Sequence, residues 1–260
     1  MLSRSRVALV TGSSRGIGLA VARRLADDGL AVVINSRSAA DSKEVAEEIR
    51  KSGGVSISVS ADLSSPHECR TLIESAVQEL GRLDVLVNNA GTPGPQVPVE
   101  ECDLRDWVST LNVNLTAPFL LVRAAIPHLK EHGQGRIINI SSGAGIQPMV
   151  NSGPYGVSKA GLIMLTRILS AELAAEAIKV NCVTPGLVLT DMILENMEKV
   201  SQETGVPAEE FIAMAEKSLQ FNHVGRATKT AEVAEVVAFL ASEASSSITG
   251  EVINLNGGWF

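Results

Sequence analysis

Short runs of apolar, mostly β-branched residues alternate along this chain with longer segments of helical periodicity, and this alternation restricts the possible folds more than any other feature. Most of the runs are nearly continuous, as expected of parallel strands covered on both faces. The strand candidates are Val7–Thr11, Ala31–Asn35, Val55–Ala61, Val85–Asn88, Arg136–Ile140, Lys179–Val183 and Glu251–Leu255. Alternating strands and helices predict βαβ units with right-handed crossovers. We therefore predict an α/β fold in which a single domain, residues 1–260, is built on a doubly wound parallel sheet flanked by helices.

One segment, residues 187–224, interrupts this rhythm between the sixth strand candidate and the last helix. Pro207, followed by Glu209 and Glu210, predicts the start of a helix within it. Its large apolar side chains suit an adaptable pocket, or they pack the segment onto the body, and both interpretations stay open. These residues are Met192, Ile193, Leu194, Met197, Phe211, Ile212, Met214 and Phe221. We expect the segment to form a substrate lid.

Charge and composition exclude several classes of partner. The formal net charge is −7, with acidic and basic residues interleaved, which argues against nucleic acid and anionic membranes as main partners. The apolar run after Met1–Arg6 is too short for a signal sequence or a membrane span. Cys69, Cys102 and Cys182 are odd in number and far apart, which favours free thiols in a reducing, cytoplasmic environment. No residue spacing typical of a metal site is present.

A glycine-rich turn follows the first strand candidate and precedes a helical segment. Glycines at such a place permit a tight turn and let the backbone approach a pyrophosphate, which the helix N-terminus also attracts. The spacing is Gly-x-x-x-Gly-x-Gly, and by itself it would also be consistent with a plain tight connection. The residues predicted to hold a dinucleotide here are Gly12, Ser14, Arg15, Gly16, Ile17 and Gly18.

The end of the second strand candidate indicates which dinucleotide binds. Sites for NAD usually place a carboxylate there to bond the ribose 2′-hydroxyl. This chain has Ser36 and Arg37 instead, and no acid before Asp41. Arg37 and Arg15 together can clamp a 2′-phosphate, and Ser36 can add a hydrogen bond. We therefore predict NADP(H) as the cofactor, against the alternative of two solvated surface arginines.

Tyr155 and Lys159 stand four residues apart, which places a phenol and an ammonium on one face of a helix. A free tyrosine has a pKa of about 10 and transfers protons poorly at neutral pH. A nearby cation favours the phenolate, so we expect Lys159 to lower the pKa of Tyr155. The plain alternative is a surface tyrosine beside an incidental lysine.

Polar residues follow the next two strand candidates, at the carboxyl ends where a ligand crevice is expected. Asn89, Ala90 and Gly91 come after the fourth candidate, and Ser141 and Ser142 come after the fifth. A serine hydroxyl there can hydrogen-bond a substrate oxygen. Each group alone could also be turn chemistry, because Asn, Ser and Gly dominate turns for backbone reasons.

Taken together, these motifs resemble the short-chain dehydrogenase/reductase family, in its branch with T-G-x-x-x-G-x-G, N-N-A-G and Y-x-x-x-K motifs. The resemblance runs from about Arg6 to Gly258. It implies a Rossmann-like sheet of seven parallel strands, and hydride transfer between a nicotinamide and a carbonyl or alcohol carbon.

The resemblance also implies roles for individual residues. Tyr155 is expected to be the general acid/base, and Ser142 to orient the carbonyl. Lys159 is expected to hold the nicotinamide ribose, and Asn114 to help hold a proton-relay water. Further cofactor contacts are implied at Asp62, Leu63, Asn89, Ala90, Gly91, Tyr155, Lys159, Pro185, Gly186, Val188 and Thr190.

The expected function is an NADP(H)-dependent oxidoreductase that interconverts a small-molecule carbonyl compound and its secondary alcohol. One alternative is a 3-oxoacyl-thioester (acyl-carrier-protein) reductase. It is disfavoured because the ends of the two long helices expected to meet the acidic carrier protein carry Glu131, Glu172 and Glu176, which would repel it, beside Lys130 and Lys179. An alternative of another class is a non-catalytic NADP(H)-binding sensor or scaffold, since fold alone does not imply function.

The helical segment Leu115 to Leu129 is apolar around nearly its whole circumference. Such a helix should be buried on both sides, here by the sheet and by a second subunit, so we predict a homo-oligomer, a tetramer or a dimer.

Pro118 lacks the N–H that would bond the carbonyl of Asn114 in an α-helix. We expect a bend there that either opens a water site at Asn114 or merely fits the helix to the sheet.

Overall fold

Seven strands and nine α-helices form in the computed structural model, which describes residues 5–218 and 222–258. The strands are β1 (Val7–Val10), β2 (Ala31–Ser36), β3 (Ser56–Ser60), β4 (Val85–Asn88), β5 (Arg136–Ile140), β6 (Lys179–Pro185) and β7 (Val252–Leu255). The α-helices are α1 (Gly16–Asp27), α2 (Ala39–Lys51), α3 (Pro66–Leu80), α4 (Leu104–Leu111), α5 (Ala117–Lys130), α6 (Gly153–Glu172), α7 (Asp191–Thr204), α8 (Ala208–Ser218) and α9 (Thr230–Ala241).

All neighbouring strands pair in parallel, in the order β3-β2-β1-β4-β5-β6-β7. Strands β2 and β3 lie on one side of β1 within the sheet, and strands β4 to β7 lie on its other side. The strand order therefore reverses between β1 and β4, and in open α/β sheets ligands bind outside the carboxyl ends of the strands at such a point. The predicted fold, a doubly wound parallel sheet of seven strands, is confirmed.

The sheet is central because its strands are apolar on both faces. Every residue of β1, β4 and β5 is buried. Successive side chains of a strand point to opposite faces, so Val7 and Leu9 join one apolar core while Ala8 and Val10 join the other. Helices α3, α5 and α6 cover the first core, and α1, α2 and α9 cover the second. The two helix layers fix the positions of the strand ends.

The strand predictions are confirmed to within two residues at each end. The segment 187–224 contains α7 and α8, and α8 begins at Ala208, directly after Pro207, as predicted. Phe221 of this segment lies outside the described residues, together with residues 219 and 220, and so does the Met214 side chain.

A π-helical turn, Asn112–Thr116, lies between α4 and α5, just before Pro118, where a bend was expected. In this turn the N–H of Ala117 donates to the carbonyl of Asn112, five residues earlier. Pro118 stands in the first turn of α5, where proline is tolerated. A π-turn inserts one extra residue into the helix and often marks a functional site.

Metal clusters and membrane-spanning helices are both absent from the described part of the chain. No three His, Cys, Asp or Glu side chains there are placed to hold a metal ion. No helix in residues 5–218 and 222–258 has the length and apolar character needed to cross a membrane. Cys69, Cys102 and Cys182 are free thiols.

Candidate active site

A cleft of about 800 Å³ opens at the carboxyl ends of the central strands. Its volume falls within the range of ligand pockets, roughly 300–1,000 Å³. The fold gathers most of the predicted site residues around it. Those that line the cleft are Gly12, Ser14, Arg15, Gly16, Ile17, Ser36, Arg37, Asn89, Ala90, Gly91, Ser142, Tyr155, Lys159, Pro185, Gly186, Val188 and Thr190.

The turn between β1 and α1 needs its glycines for both conformation and space. Gly12 and Gly16 have φ values of +60° and +57°, a region that other L-residues rarely adopt. A Cβ on Gly18 would lie 2.5 Å from Nδ2 of Asn89. Gly18 is not part of the cleft lining. Its lack of a side chain permits the close packing of α1 against the turn that follows β4.

Thr11 joins the glycine-rich turn to the residues after β4. Its hydroxyl oxygen accepts hydrogen bonds from the N–H groups of Asn89 and Ala90, both at 3.0 Å. In return, the Asn89 amide donates to the carbonyls of Thr11 at 2.9 Å and Gly12 at 3.1 Å. Two loops on neighbouring strands are thereby held in one fixed arrangement.

Ser36, the last residue of β2, and Arg37, which follows it, line the same cleft as Arg15. Arg15 forms an ion pair with Glu195 of α7, and this hydrogen bond raises the pKa of Arg15. Asp191 and Asp41 add smaller effects in the same direction. This pairing could not be predicted from the sequence, because Glu195 lies 180 residues further along the chain.

Tyr155 lies in the first turn of α6, where its hydroxyl meets Ser142 from the end of β5. Burial raises the pKa of the Tyr155 phenol, and a hydrogen bond with Ser142 partly opposes that rise. The Ser142 oxygen accepts from the N–H of Ala144 at 3.2 Å, which leaves its proton free to be donated. The two hydroxyls can therefore act on one substrate oxygen.

Lys159 follows one turn after Tyr155 and is almost fully buried, with 4% of its surface exposed. Its Nζ donates to the carbonyl of Ile140 at 3.0 Å and lies 5.7 Å from the centre of the Tyr155 ring. Burial lowers the pKa of Lys159 to about 8. The net shift in the pKa of Tyr155 is upward, opposite to the direction expected from a neighbouring cation, because burial of the phenol is the largest cause.

Asn114 lies in the π-helical turn, fully buried beneath the cleft rather than in its lining. Its side-chain oxygen accepts from the N–H of Thr92 at 2.8 Å, and its amide donates to the carbonyl of Thr92 at 2.9 Å. The same amide donates to the hydroxyl of Ser158 at 3.1 Å. A Cβ on Gly91 would lie 3.2 Å from the Asn114 oxygen and 3.5 Å from Nζ of Lys159, so these groups surround one small space.

Four predicted residues lie outside the cleft lining, namely Gly18, Asn114, Asp62 and Leu63. Asp62 and Leu63 follow β3, and neither lines the cleft. Asp62 accepts from the N–H of Ser64 at 2.9 Å, which lowers the pKa of its carboxyl. Leu63 is buried in one of the two apolar cores.

The structure also brings polar residues to the site that sequence reasoning missed. Ser158 could have been found, because it stands on the same helical face as Tyr155, and its hydroxyl donates to the Tyr155 carbonyl at 2.7 Å. Gln96, Gln147 and Ser152 line the cleft as well. They come from irregular connections, where no periodicity signals a shared site.

These residues fit a dinucleotide. The glycine turn lies at the N-terminus of α1, and its positive-φ glycines leave backbone without side chains along the cleft floor. A Cβ on Gly16 would lie 3.5 Å from Thr190, so even one methyl group would narrow the space between this turn and the segment after β6. An uncovered helix N-terminus of this kind suits a pyrophosphate.

Comparison with known proteins agrees with this geometry. The family model described as short chain dehydrogenase matches residues 6–201. The chain belongs to the short-chain dehydrogenase/reductase family. Within this family, a cis-4-hydroxycyclohexanecarboxylate dehydrogenase of Sinomonas cyclohexanicum is 37% identical over 254 residues, covering 98% of this chain and 96% of the relative.

Two further relatives extend the likeness to reductases. A 3-oxoacyl-(acyl-carrier-protein) reductase of Aquifex aeolicus is 40% identical over 256 residues, covering 98% of this chain and 97% of its own. Among solved structures, a variant of actinorhodin polyketide ketoreductase with NADPH superimposes with a TM-score of 0.91 at 35% identity, covering 100% of this chain and 99% of the other. The short-chain dehydrogenase/reductase fold and its oxidoreductase class are thus shared over the whole chain.

Proposed function

We propose that this short-chain dehydrogenase/reductase uses NADP(H) to interconvert a small carbonyl compound and its secondary alcohol. The observation that carries the proposal is the convergence of Ser142, Tyr155 and Lys159 on one cleft that also contains the glycine-rich turn. When bound, the nicotinamide supplies or accepts the hydride. Every other step falls to side chains of this chain.

Tyr155 gives a proton to the carbonyl oxygen in reduction, or removes one from the hydroxyl in oxidation. Because burial raises its pKa, the phenol remains protonated at neutral pH, which is the form that reduction needs. Ser142 donates a hydrogen bond to the same oxygen. Lys159 carries a positive charge below its pKa of about 8, and this charge favours the phenolate that forms as the proton leaves.

Asn114 has a positioning role in this proposal. Its side chain is held by Thr92 and Ser158, so the π-turn presents its backbone at a fixed place near Lys159. We infer that a water held there returns a proton to Tyr155 by way of Lys159. Asp62 and Leu63 lie outside the cleft lining, and we infer that they reach only the adenine edge of the cofactor. Gly91, Pro185, Gly186, Val188 and Thr190 hold its nicotinamide half.

NADP(H) is favoured over NAD(H) by the charges at the end of β2. Ser36 and Arg37 line the cleft where a ribose-binding acid would stand, and Arg15 faces the same space. A variant of actinorhodin polyketide ketoreductase was solved with NADPH.

Segment 187–224 acts as the lid, since Met192, Ile193 and Met197 of α7 line the cleft. We also place the enzyme in the cytoplasm.

Turnover itself is tested with NADPH and a panel of ketones, following the loss of NADPH absorbance. Tyr155→Phe should retain at most about 1% of kcat, because general acid/base catalysis contributes roughly 10²–10⁴-fold. Its affinity for NADPH, measured by fluorescence titration, should remain that of the wild type. A folded variant that keeps more than a few per cent of kcat would assign the proton transfer to another group. Binding of NADPH without turnover of any ketone would favour a sensor or scaffold.

Cofactor choice is tested by kcat/KM for NADPH and NADH. The wild type should prefer NADPH by at least tenfold, and the Ser36→Asp/Arg37→Ala variant should lose about 1.5–3 kcal/mol of that preference, one to two decades. A wild-type preference for NADH would contradict the assignment of Arg15 and Arg37.

A further inference from the structure

The half of the cleft beside Tyr155 differs in charge from the half beside the glycine-rich turn. Apart from Lys159, the charged residues of the lining are Arg15, Arg37, Asp41 and Asp191. Asp41 and Asp191 both act electrostatically on Arg15, so this group gathers around the glycine-rich turn. Other cleft residues are tied by hydrogen bonds to the segments that carry Ser142 and Tyr155, and their side chains are neutral; they are Gln96, Gln147, Met149 and Ser152.

Lys159 is not available as a partner for a substrate anion. Its ammonium is buried, donates to the carbonyl of Ile140 and lies 5.7 Å from the centre of the Tyr155 ring. Lys159 also stabilises the Tyr155 phenolate in the proposed reaction. A substrate carboxylate in this half of the cleft would therefore meet no available cation among the described lining residues, and a charge that gives up water without gaining a partner is strongly disfavoured.

Two glutamine amides add to the polar groups that this half of the cleft offers. The hydroxyl of Ser152, itself 3% exposed, donates to the side-chain oxygen of Gln96 at 3.2 Å. This contact orients the Gln96 amide. The backbone of Gln147 is anchored by its N–H, which donates to the carbonyl of Gly143 at 2.9 Å. Its side-chain amide is not engaged by any hydrogen bond within the described chain, and an amide can both donate and accept.

We propose that the substrate is an uncharged, largely apolar ketone whose second polar group binds Gln96 or Gln147, and that the site rejects keto acids. This inference rests on the proposed function. A neutral polar substituent replaces its hydrogen bonds to water with hydrogen bonds to a glutamine amide, whereas a carboxylate would find no cation to pair with. This difference in binding free energy discriminates between the two kinds of substrate. The flexible thioethers of Met149, Met192 and Met197 let the apolar wall adapt to a ring or a chain.

Matched pairs of esters and acids test the charge selection directly. The pairs are ethyl acetoacetate with acetoacetate, and methyl 4-oxocyclohexanecarboxylate with 4-oxocyclohexanecarboxylate. In each pair the carbonyl is the same and one charge differs. We expect kcat/KM with NADPH to be at least tenfold higher for the ester. A smaller ratio, or a preference for the acid, overturns the proposal.

Charge variants assign the selection to particular residues. Gln147→Arg and Gln96→Arg each place a cation in the neutral half of the cleft, and at least one of them should lower the ester-to-acid ratio fivefold or more. Gln147→Met should keep the ester preference. Gln78→Arg makes the same change on the exposed surface of α3 and should leave the ratio unaltered. If neither cleft variant changes the ratio, the two amides do not determine it.

Binding separates this inference from the proposed function. The enzyme–NADP⁺ complex is titrated calorimetrically with the members of each pair. Ester-selective binding without turnover would uphold the charge selection and overturn the proposed activity. Turnover with a preference for acids would uphold the proposed activity and overturn the charge selection. Neither binding nor turnover would overturn both.

Discussion

Lys159 donates a hydrogen bond to the main-chain carbonyl of Ile140 at 3.0 Å while only 4% of its surface is exposed. Burial lowers the pKa of Lys159 from its ordinary 10.5 to about 8. Below pH 8 both the folded and the unfolded chain hold the proton, so the full cost of burying the charge is present. Between pH 8 and 10.5 the unfolded chain still holds the proton and the folded chain releases it. Stability from this group therefore rises with pH across that window.

Replacing this ammonium by an apolar side chain should stabilise the protein at neutral pH. For Lys159→Met we expect the free energy of unfolding at pH 7 to increase by roughly 2–3 kcal/mol, the lost burial cost less one hydrogen bond. The gain should shrink as pH rises from 8 to 9.5. Urea unfolding without cofactor, at one fixed protein concentration, measures both. A difference that stays constant with pH would show that Lys159 is not the titrating group.

The ion pair between Arg15 and Glu195 should compete with the 2′-phosphate of the cofactor. The two side chains are 49% and 60% exposed, and exposed pairs contribute about 0–1 kcal/mol. Glu195→Gln frees Arg15, so we expect the affinity for NADP⁺ to rise by up to about fivefold while that for NAD⁺ stays unchanged. Fluorescence titration measures both. Glu198→Gln, an exposed change on the same helix, is the control. An equal gain for both cofactors would place Arg15 away from the 2′-phosphate.

The outer surface of α5 and α6 should be covered by a second copy of the chain. Phe119, Met164 and Ile168 are 45%, 52% and 46% exposed, and both helices belong to the same layer on the sheet. Light scattering at micromolar concentration should show a dimer or tetramer, and Ile168→Glu should reduce the mass. Val55→Glu changes a similarly exposed residue beside β3 and should not. A monomeric wild type would contradict the prediction.

The sequence predicted local structure well and long-range electrostatics poorly. The strands could be predicted because most are nearly continuous apolar runs, and Tyr155 and Lys159 could be paired because helical spacing is fixed. Burial of the Tyr155 phenol depends on the whole fold, so the raised pKa of Tyr155 could not be foreseen. The ion-pair partner of Arg15 could not be predicted either, because Glu195 comes near Arg15 only when α7 packs over the glycine-rich turn.

The π-helical turn before Pro118 connects helix geometry to the proposed proton path. In a regular α-helix the N–H of residue 118 would bond the carbonyl of Asn114, and proline removes that donor. The turn instead pairs Ala117 with Asn112. The extra residue sets the direction in which Asn114 points, and its side chain meets Thr92 and Ser158.

Pro118→Ala restores the missing donor and should let the π-turn relax towards a regular helix. Such a change rotates Asn114 away from Thr92 and disturbs the backbone near Lys159, so we expect kcat to fall at least about tenfold while NADPH affinity stays constant. Pro127→Ala is the matched control, because Pro127 lies inside α5 and away from the cleft lining. That variant should keep full kcat. A crystal structure of Pro118→Ala shows whether the bond between Thr92 and Asn114 is lost. If the variant keeps the π-turn and full kcat, Pro118 only fits the helix to the sheet, and Asn114 is held by its side-chain contacts alone.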